Sequence, residues 1–471
     1  MKVSKLLLLY LLITNNAFAQ CYTKVLTSSG TSVARRTDGT LWAKGPNNGG
    51  CAGNGNTNDL LNYTQIGTDT DWSDNYSVSS SHVLAIKNNG TLWAWGSESF
   101  GACGTGSEGN GVPILPTQVG VDNWISVASD SSSSLGIKSD GTLWAWGSNN
   151  SGQIGIGSTL QYNQLTLLQI GTDTNWQKVF SGVATCFAIK TDGSLWSWGS
   201  TGVGGKLGYS AVNINVTRLS PHIVNTDTNW TAIAIDSDMA IGLKNDGTLW
   251  GWGSSEDGQF GNGTIDFTAI SIPTQIGTDS DWKQISMSYG SCVALKNNGT
   301  RWGWGLNTTQ YLLGDGTTQD RLVPTQLDTN TDWIYVDMET ESQGYGGNAI
   351  KENNSLFHWA YSITTNVRYS IPTQEGTTCV LSTVAFENKD LLIAFPNPFQ
   401  STLTIHYILE ENTTPEIEII NNLGQIITRT KWIKELGENE YFIDLSQYSS
   451  GIYYLHLYTE YQSYYKKIIK N

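Results

Sequence analysis

The chain has 471 residues, a formal net charge of −15 and a pI near 4.7, which argues against a nucleic-acid partner because phosphate-backbone binders carry basic patches. Charged residues make up only 14% while glycine reaches 51, the balance of a turn-rich all-β protein and not of an acidic disordered tail. Beyond the extreme N-terminus no stretch is long and apolar enough to span a bilayer, so no transmembrane segment is expected in the mature chain.

Residues 1–19 read as a secretory signal peptide. Lys2 and Lys5 supply the positive start, Leu6 to Ile13 the apolar run and Ala17-Phe18-Ala19 the small-residue cleavage site, with the cut between Ala19 and Gln20. Cys21 invites a lipoprotein reading, but Gln20 stands where such signals need a small residue. An exported chain permits disulfides.

A block of the form D/N-G-T/S-L-W-x-W-G then recurs. It begins at Asp38, Asn89, Asp140, Asp192, Asp246 and Asn298, with a degraded seventh copy, "NNSLFHWA", at Asn353. Its first aromatics are Trp42, Trp93, Trp144, Trp196, Trp250, Trp302 and Phe357, spaced 51, 51, 52, 54, 52 and 55 residues apart. A period near fifty marks a propeller or solenoid whose repeats bury their faces against neighbours. Each repeat reads as four short strands: one starting at a tryptophan, an apolar run, an Asn-Gly or Asp-Gly hairpin turn into Leu-Trp-x-Trp, and a proline-bearing edge strand. Apolar residues on both sides of Leu-Trp-x-Trp require cover on both faces, as in a blade wedged between blades. The expected fold is all-β, a seven-bladed β-propeller over 20–380. Cys21 and Cys379 flank it, and a bridge between them would staple the ring closed. Cys51 and Cys103 share a slot in adjacent repeats, and packed sheets about 10 Å apart are too distant for a disulfide. Cys186 and Cys292 read as separate buried thiols.

This repeat resembles the regulator of chromosome condensation family, over roughly residues 22–376. The resemblance implies a seven-bladed propeller. The nucleotide-exchange activity of the nuclear member does not carry over to an exported acidic chain, whereas bacterial relatives that inhibit β-lactamase through loops on one face imply protein binding as a class.

From about Leu391 tryptophan nearly vanishes and the period stops. Residues 381–391 read as a linker and 392–471 as a small antiparallel β-sandwich, from period-two apolar spacing in "STLTIHYIL", "IEIINNLGQII" and "YFIDLSQYSSGIYYLHLY". Pro396-Asn397-Pro398, the Asn422-Leu423-Gly424-Gln425 turn, the segment from Ile443 and the Lys466–Lys470 run make it similar to the type A sorting domain of the type IX secretion system of Bacteroidetes. That resemblance implies export by the type IX machinery, with release or attachment at the outer-membrane surface.

The search for chemistry yields little. His82, His222, His358, His406 and His456 are scattered without metal-ligand spacing, and Gly104-Thr105-Gly106-Ser107-Glu108-Gly109 opens no helix, so it lacks a phosphate cradle. No catalytic constellation and no organic cofactor site is found. Acidic pairs ahead of the repeat tryptophans, Asp69 with Asp71 and Asp279 with Asp281, are calcium candidates because calcium takes oxygen ligands, though Asp also caps turns by bonding its own backbone. Partner contacts are expected from non-repeating loop aromatics, Phe100, Tyr162, Tyr209, Phe267 and Tyr311, and from period-breaking insertions at Gly202 to Ser220 and Glu339 to Asn348. The function expected is a secreted or surface-anchored module whose propeller loops bind an extracellular protein or glycan. A structural or adhesive surface protein, and a propeller enzyme acting on extracellular polymers, stay open as alternatives.

Overall fold

The computed structural model describes residues 21–107, 114–202, 204–209, 217–307, 310–339, 346–362, 366–376, 392–409, 416–421, 425–431, 437–458 and 463–471. The chain divides into two compact parts between Cys379 and Val380.

The first part contains five four-stranded sheets and one seven-stranded sheet, all antiparallel and in sequence order. Repeat four is typical, with strands Trp176–Gly182, Thr185–Lys190, Leu195–Gly199 and Arg218–Ile223. The seven-stranded sheet holds repeats two and three, joined by one continuous strand, Thr117–Ser129. Its first half pairs with Thr91–Gly96 and its second half, from Trp124, with Ser133–Lys138. The link from Val119 to Trp124 is one residue shorter than that from Ile66 to Trp72, so the chain passes between repeats without leaving extended geometry.

The motif residues explain one another. Asp38 Oδ1 accepts from the Thr40 amide at 3.0 Å and its hydroxyl at 2.6 Å, and Thr40 Oγ1 in turn accepts the Trp42 indole N–H at 2.7 Å. The same relay recurs at Asp140-Thr142-Trp144 and Asp246-Thr248-Trp250. Gly141, between them, has φ +80°, and a Cβ there would stand 2.0 Å from the Thr174 carbonyl of the next repeat. Only glycine allows that contact.

Two bonds join each of the first six repeats to the next. The amide of the first-strand tryptophan donates to the preceding turn glycine, as Trp176 does to Gly141 at 3.0 Å. The second tryptophan of the motif, fully buried, donates its indole N–H to a loop carbonyl of the preceding repeat, as Trp198 does to Gln153 at 2.9 Å. The ring closes by the first device, with Tyr22 N donating to Asn354 O at 2.9 Å, and by Tyr335 Oη donating to Val25 O at 2.8 Å.

The second part is a sandwich of a three-stranded and a four-stranded sheet. Inward residues from both, including Leu403, Ile405, Ile417, Ile419, Leu455 and Ile468, form one buried core. This is the alternation expected of strands with one dry face.

Candidate functional site

Up-and-down antiparallel strands sort the connections of each repeat onto two faces of the ring. Turns between second and third strands, and links between repeats, emerge on one face. Turns between first and second strands, and loops between third and fourth, emerge on the other.

The turn face is uniform. In repeats two to seven a lysine ends the second strand and lies over two aromatic rings while pairing with an aspartate of the inter-repeat link. In the first repeat Arg36 takes that place over Tyr22 and Trp42. Lys244 Nζ is 3.8 Å from the Trp250 ring centroid, 4.7 Å from that of Trp230 and 2.7 Å from Asp227 Oδ2. Lys138, Lys190 and Lys351 repeat the arrangement with Asp122, Asp173 and Asp332. The carboxylates considered for calcium are already paired in this way. Lys87 Nζ lies 2.8 Å from Asp69 and 3.1 Å from Asp71, and Lys296 Nζ lies 2.7 Å from Asp279 and 3.0 Å from Asp281. A lysine ammonium fills the space between each pair, so a divalent ion would have to displace it. Among the described residues no group of three or more His, Cys, Asp or Glu side chains is placed to hold a metal. The lysine itself was missed in the sequence, although it stands two residues ahead of every Asp-Gly or Asn-Gly turn from Lys87 to Lys296.

The loop face is irregular, and four of the five aromatics named above, Phe100, Tyr162, Tyr209 and Tyr311, belong to its third-to-fourth connections. Phe100 is 42% exposed and Tyr162 66% exposed. Tyr311 is half-buried, with a left-handed φ of +59°. Tyr209 is different: its hydroxyl lies 2.7 Å from Ser197 O and 2.9 Å from His222 O and accepts from Ser197 Oγ. Burial pushes its phenol up to about 12. It braces its own loop. Phe267 falls in strand Asp266–Ile276, and its side chain lies outside the described residues, as do residues 203, 210–216 and 340–345 of the two insertions. Exposed residues that the repeat pattern did not single out lie on the same face: Leu160, Val183, Ile265 and Tyr289. Val183 and Tyr289 hold φ values of +40° and +47°, uncommon for side chains of their size.

First strands of all seven repeats line a central channel enclosing about 540 Å³. Its walls mix Leu26, Ile125, Ile233 and Ile285 with Lys24 and Asp337. Burial raises the Asp337 carboxyl to about 7 against the opposing pull of Lys24, and Ser286 Oγ donates to it at 3.2 Å.

His82 is no ligand. It is fully buried between repeats two and three, with Nδ1 3.0 Å from Ser79 Oγ and Nε2 2.8 Å from Ser134 Oγ, and burial lowers it to about 4. Cys51, Cys103, Cys186 and Cys292 are buried free thiols. Cys21 is disulfide-bonded, while Cys379 lies outside the described residues, as do Ala19 and Gln20.

In the second part, signature pieces distant in sequence meet. Asn397 Nδ2 donates to Lys467 O at 2.9 Å and its Oδ1 accepts from Ile469 N at 2.8 Å. Lys470 Nζ, almost fully buried, donates to Leu445 O at 3.0 Å, to Ser446 O at 3.2 Å and to Tyr448 O. The Pro-Asn-Pro segment, the Asp-Leu-Ser-Gln-Tyr turn and the terminal strand are thus one hydrogen-bonded assembly.

Residues 393–471 match the family model of a secretion system C-terminal sorting domain, and residues 140–189 and 246–295 match the regulator of chromosome condensation (RCC1) repeat, with a second model of that repeat matching 77–102 and 124–153. The chain carries RCC1 repeats and a secretion-system sorting domain. Among curated relatives it is similar to the ultraviolet-B receptor UVR8 of Arabidopsis thaliana, 26% identical over 324 residues, covering 68% of this chain and 71% of that protein. It is 27% identical over 242 residues to the E3 ubiquitin-protein ligase HERC2 of Homo sapiens, covering 48% of this chain but only 5% of HERC2. Among solved structures, Prp20p of Saccharomyces cerevisiae superposes with a TM-score of 0.62 at 17% identity, covering 76% of this chain and 88% of that one. Human WBSCR16 gives 0.58 at 17%, covering 68% and 85%. At these identities the structures speak for the RCC1-type propeller fold alone. The sorting domain makes this a protein secreted or attached at the cell surface. No helix among the described residues is long and apolar enough to cross a membrane.

Proposed function

We propose that this RCC1-repeat protein is a binding module exported by the type IX machinery of a Bacteroidetes cell, and that the loop face of its propeller recognises an extracellular protein or glycan. Residues 1–19 act as the signal peptide, cut after Ala19, and the ring proper spans seven blades. The observation that supports the loop face is the asymmetry between faces. The turn face spends its charged and aromatic residues on one repeated clamp, whereas the insertions, the left-handed Val183, Tyr289 and Tyr311 and the exposed Phe100 and Tyr162 gather on the other. Exposed aromatics grouped on one side supply contact area at low entropic cost.

The test is capture from the native cell envelope and medium, with a glycan array in parallel, using the full mature chain. Phe100→Asp and Tyr162→Asp should each weaken capture about tenfold or more, the effect of losing one interface anchor. Val121→Asp, at a residue 90% exposed in an inter-repeat link on the turn face, should leave it unchanged. The reverse pattern would refute the assignment of the face.

A further inference from the structure

One copy of the repeat lacks its second tryptophan. Trp95, Trp146, Trp198, Trp252, Trp304 and Trp359 fill that slot in repeats two to seven, each buried and donating to the repeat before it. In the first repeat the slot holds Lys44, and the repeat before it in the ring is the seventh. A cavity of about 60 Å³ remains there, lined by Lys44, Tyr63, Asn348, His358, Trp359 and Glu375 among others.

Its polar groups are built into the walls. Lys44 Nζ lies 2.5 Å from Glu375 Oε1, and His358 Nδ1 lies 3.0 Å from Glu375 Oε2. The His358 ring is steadied edge-on by Tyr369, 4.6 Å away between centroids. Its Nε2 is buried and has no hydrogen-bond partner among the described residues, a costly state for an imidazole nitrogen. The site still reaches solvent, because Lys44, His358 and Glu375 keep 13, 18 and 21% of their side chains accessible.

We propose that this closure pocket, between Lys44 of the first repeat and His358 and Glu375 of the last, binds one neutral sugar unit through its adjacent hydroxyls. A hydroxyl both donates and accepts, which suits a site offering an imidazole nitrogen, a carboxylate, an ammonium and the edges of Tyr63 and Trp359. Lys44 and Glu375 neutralise each other, and an ammonium ligand would meet Lys44 while a carboxylate would meet Glu375 and Glu339. A water-sized group needs about 10–15 Å³ of such space, so the cavity admits roughly four, enough for the hydroxyl-bearing edge of a single sugar. Gly30, Glu339 and Asn348 bring the pocket to the loop-face end of this boundary, but neither Phe100 nor Tyr162 lines it, so it does not depend on those two residues.

Saturation-transfer NMR on the full mature chain tests this with glucose, galactose, mannose and N-acetylglucosamine as probes, and glucuronic acid and glucosamine as charged controls. At least one neutral sugar should show transfer. Lys44→Trp, which restores the residue of the other repeats and fills the slot, should abolish it while keeping the melting temperature at or above that of the parent. His358→Gln should weaken it at least tenfold, and this variant decides the matter if Lys44→Trp does not fold. Absence of transfer from every neutral sugar, transfer from charged sugars only, or transfer undiminished in the folded variants would overturn the proposal. Phe100→Asp should leave the signal intact, so the loss of one reading leaves the other standing.

Discussion

The repeated lysine clamp makes a quantitative claim that Lys244→Met examines most directly. Methionine keeps an unbranched apolar stem, one heavy atom shorter, and removes the charge. In the parent, Nζ sits 3.8 and 4.7 Å from two ring centroids and the lysine side chain is 6% exposed, so the cation–π contribution belongs to the desolvated range, about 2 kcal/mol. The contact with Asp227 at 2.7 Å adds less, about 0.5–1 kcal/mol, because that carboxylate keeps 38% of its side chain in water. Methionine also escapes the desolvation that the ammonium suffers, so the net loss should be about 1–2 kcal/mol. At roughly 2 cal/mol/K of unfolding entropy per residue, a ring of this size should melt about 1–3 °C lower by calorimetry. Asp227→Asn in the same background should cost little more, since its partner has already gone, and the double-mutant cycle isolates that coupling. A melting point that is unchanged or higher in Lys244→Met would refute the clamp as a source of stability. Calcium or a chelator should leave the parent's melting temperature where it is, and a calcium-dependent rise would return Asp69, Asp71, Asp279 and Asp281 to the role of metal ligands.

Burial holds His82 at about 4 against an ordinary 6.5, so the unfolded chain takes up the proton first as pH falls. The stability this histidine contributes is full above pH 6.5 and should be lost by about 3 kcal/mol as pH drops to about 4, read as the difference between parent and His82→Asn in urea midpoints across that window. A difference independent of pH would count against a neutral buried imidazole. Lys470→Met leaves the carbonyls of Leu445, Ser446 and Tyr448 without their shared donor, so it should destabilise the sorting domain and reduce the amount of chain at the cell surface or in the medium, scored by fractionation and blotting. Cys21 and Cys379 should appear as one linked peptide in non-reducing mass mapping, with Cys51, Cys103, Cys186 and Cys292 alkylated only after unfolding; a mixed pattern would remove the staple at ring closure.

Much of the ring was legible because each motif residue acts on a near neighbour. Asp38, Thr40 and Trp42 satisfy one another within five residues, and Gly141 answers a carbonyl contact that recurs at Gly39, Gly193, Gly247 and Gly299. Such relations survive as periodicity. The lysine clamp was equally periodic but was overlooked, since a cation at the end of an apolar strand reads as a solvated tip and the rings beneath Lys244 come from two strands. The loop aromatics lie where local pattern stops deciding. Phe100 and Tyr209 look alike in sequence, yet the hydroxyl of Tyr209 is tied to Ser197 and His222 while Phe100 stands in solvent. Those partners lie beyond any local pattern.

Departures from the repeat carry meaning only when the neighbouring repeat is known. Lys44 in place of tryptophan looks like simple decay in "LWAKG", and Phe357 in "NNSLFHWA" looks like more of it. Ring closure brings the two copies together, and the losses then complement each other. Lys44 vacates an indole-sized slot and finds a counter-ion in Glu375, 331 positions later, while the seventh copy contributes His358 to the same space. Burial alone would raise the Glu375 carboxyl, but the His358 contact and Lys44 together push it down to about 2, so the carboxylate is ionised at neutral pH. A decayed repeat under no constraint has no reason to keep matched charges, a steadied imidazole and a cavity at the same boundary. The first and seventh repeats are therefore better described as a matched pair than as worn copies of the other five.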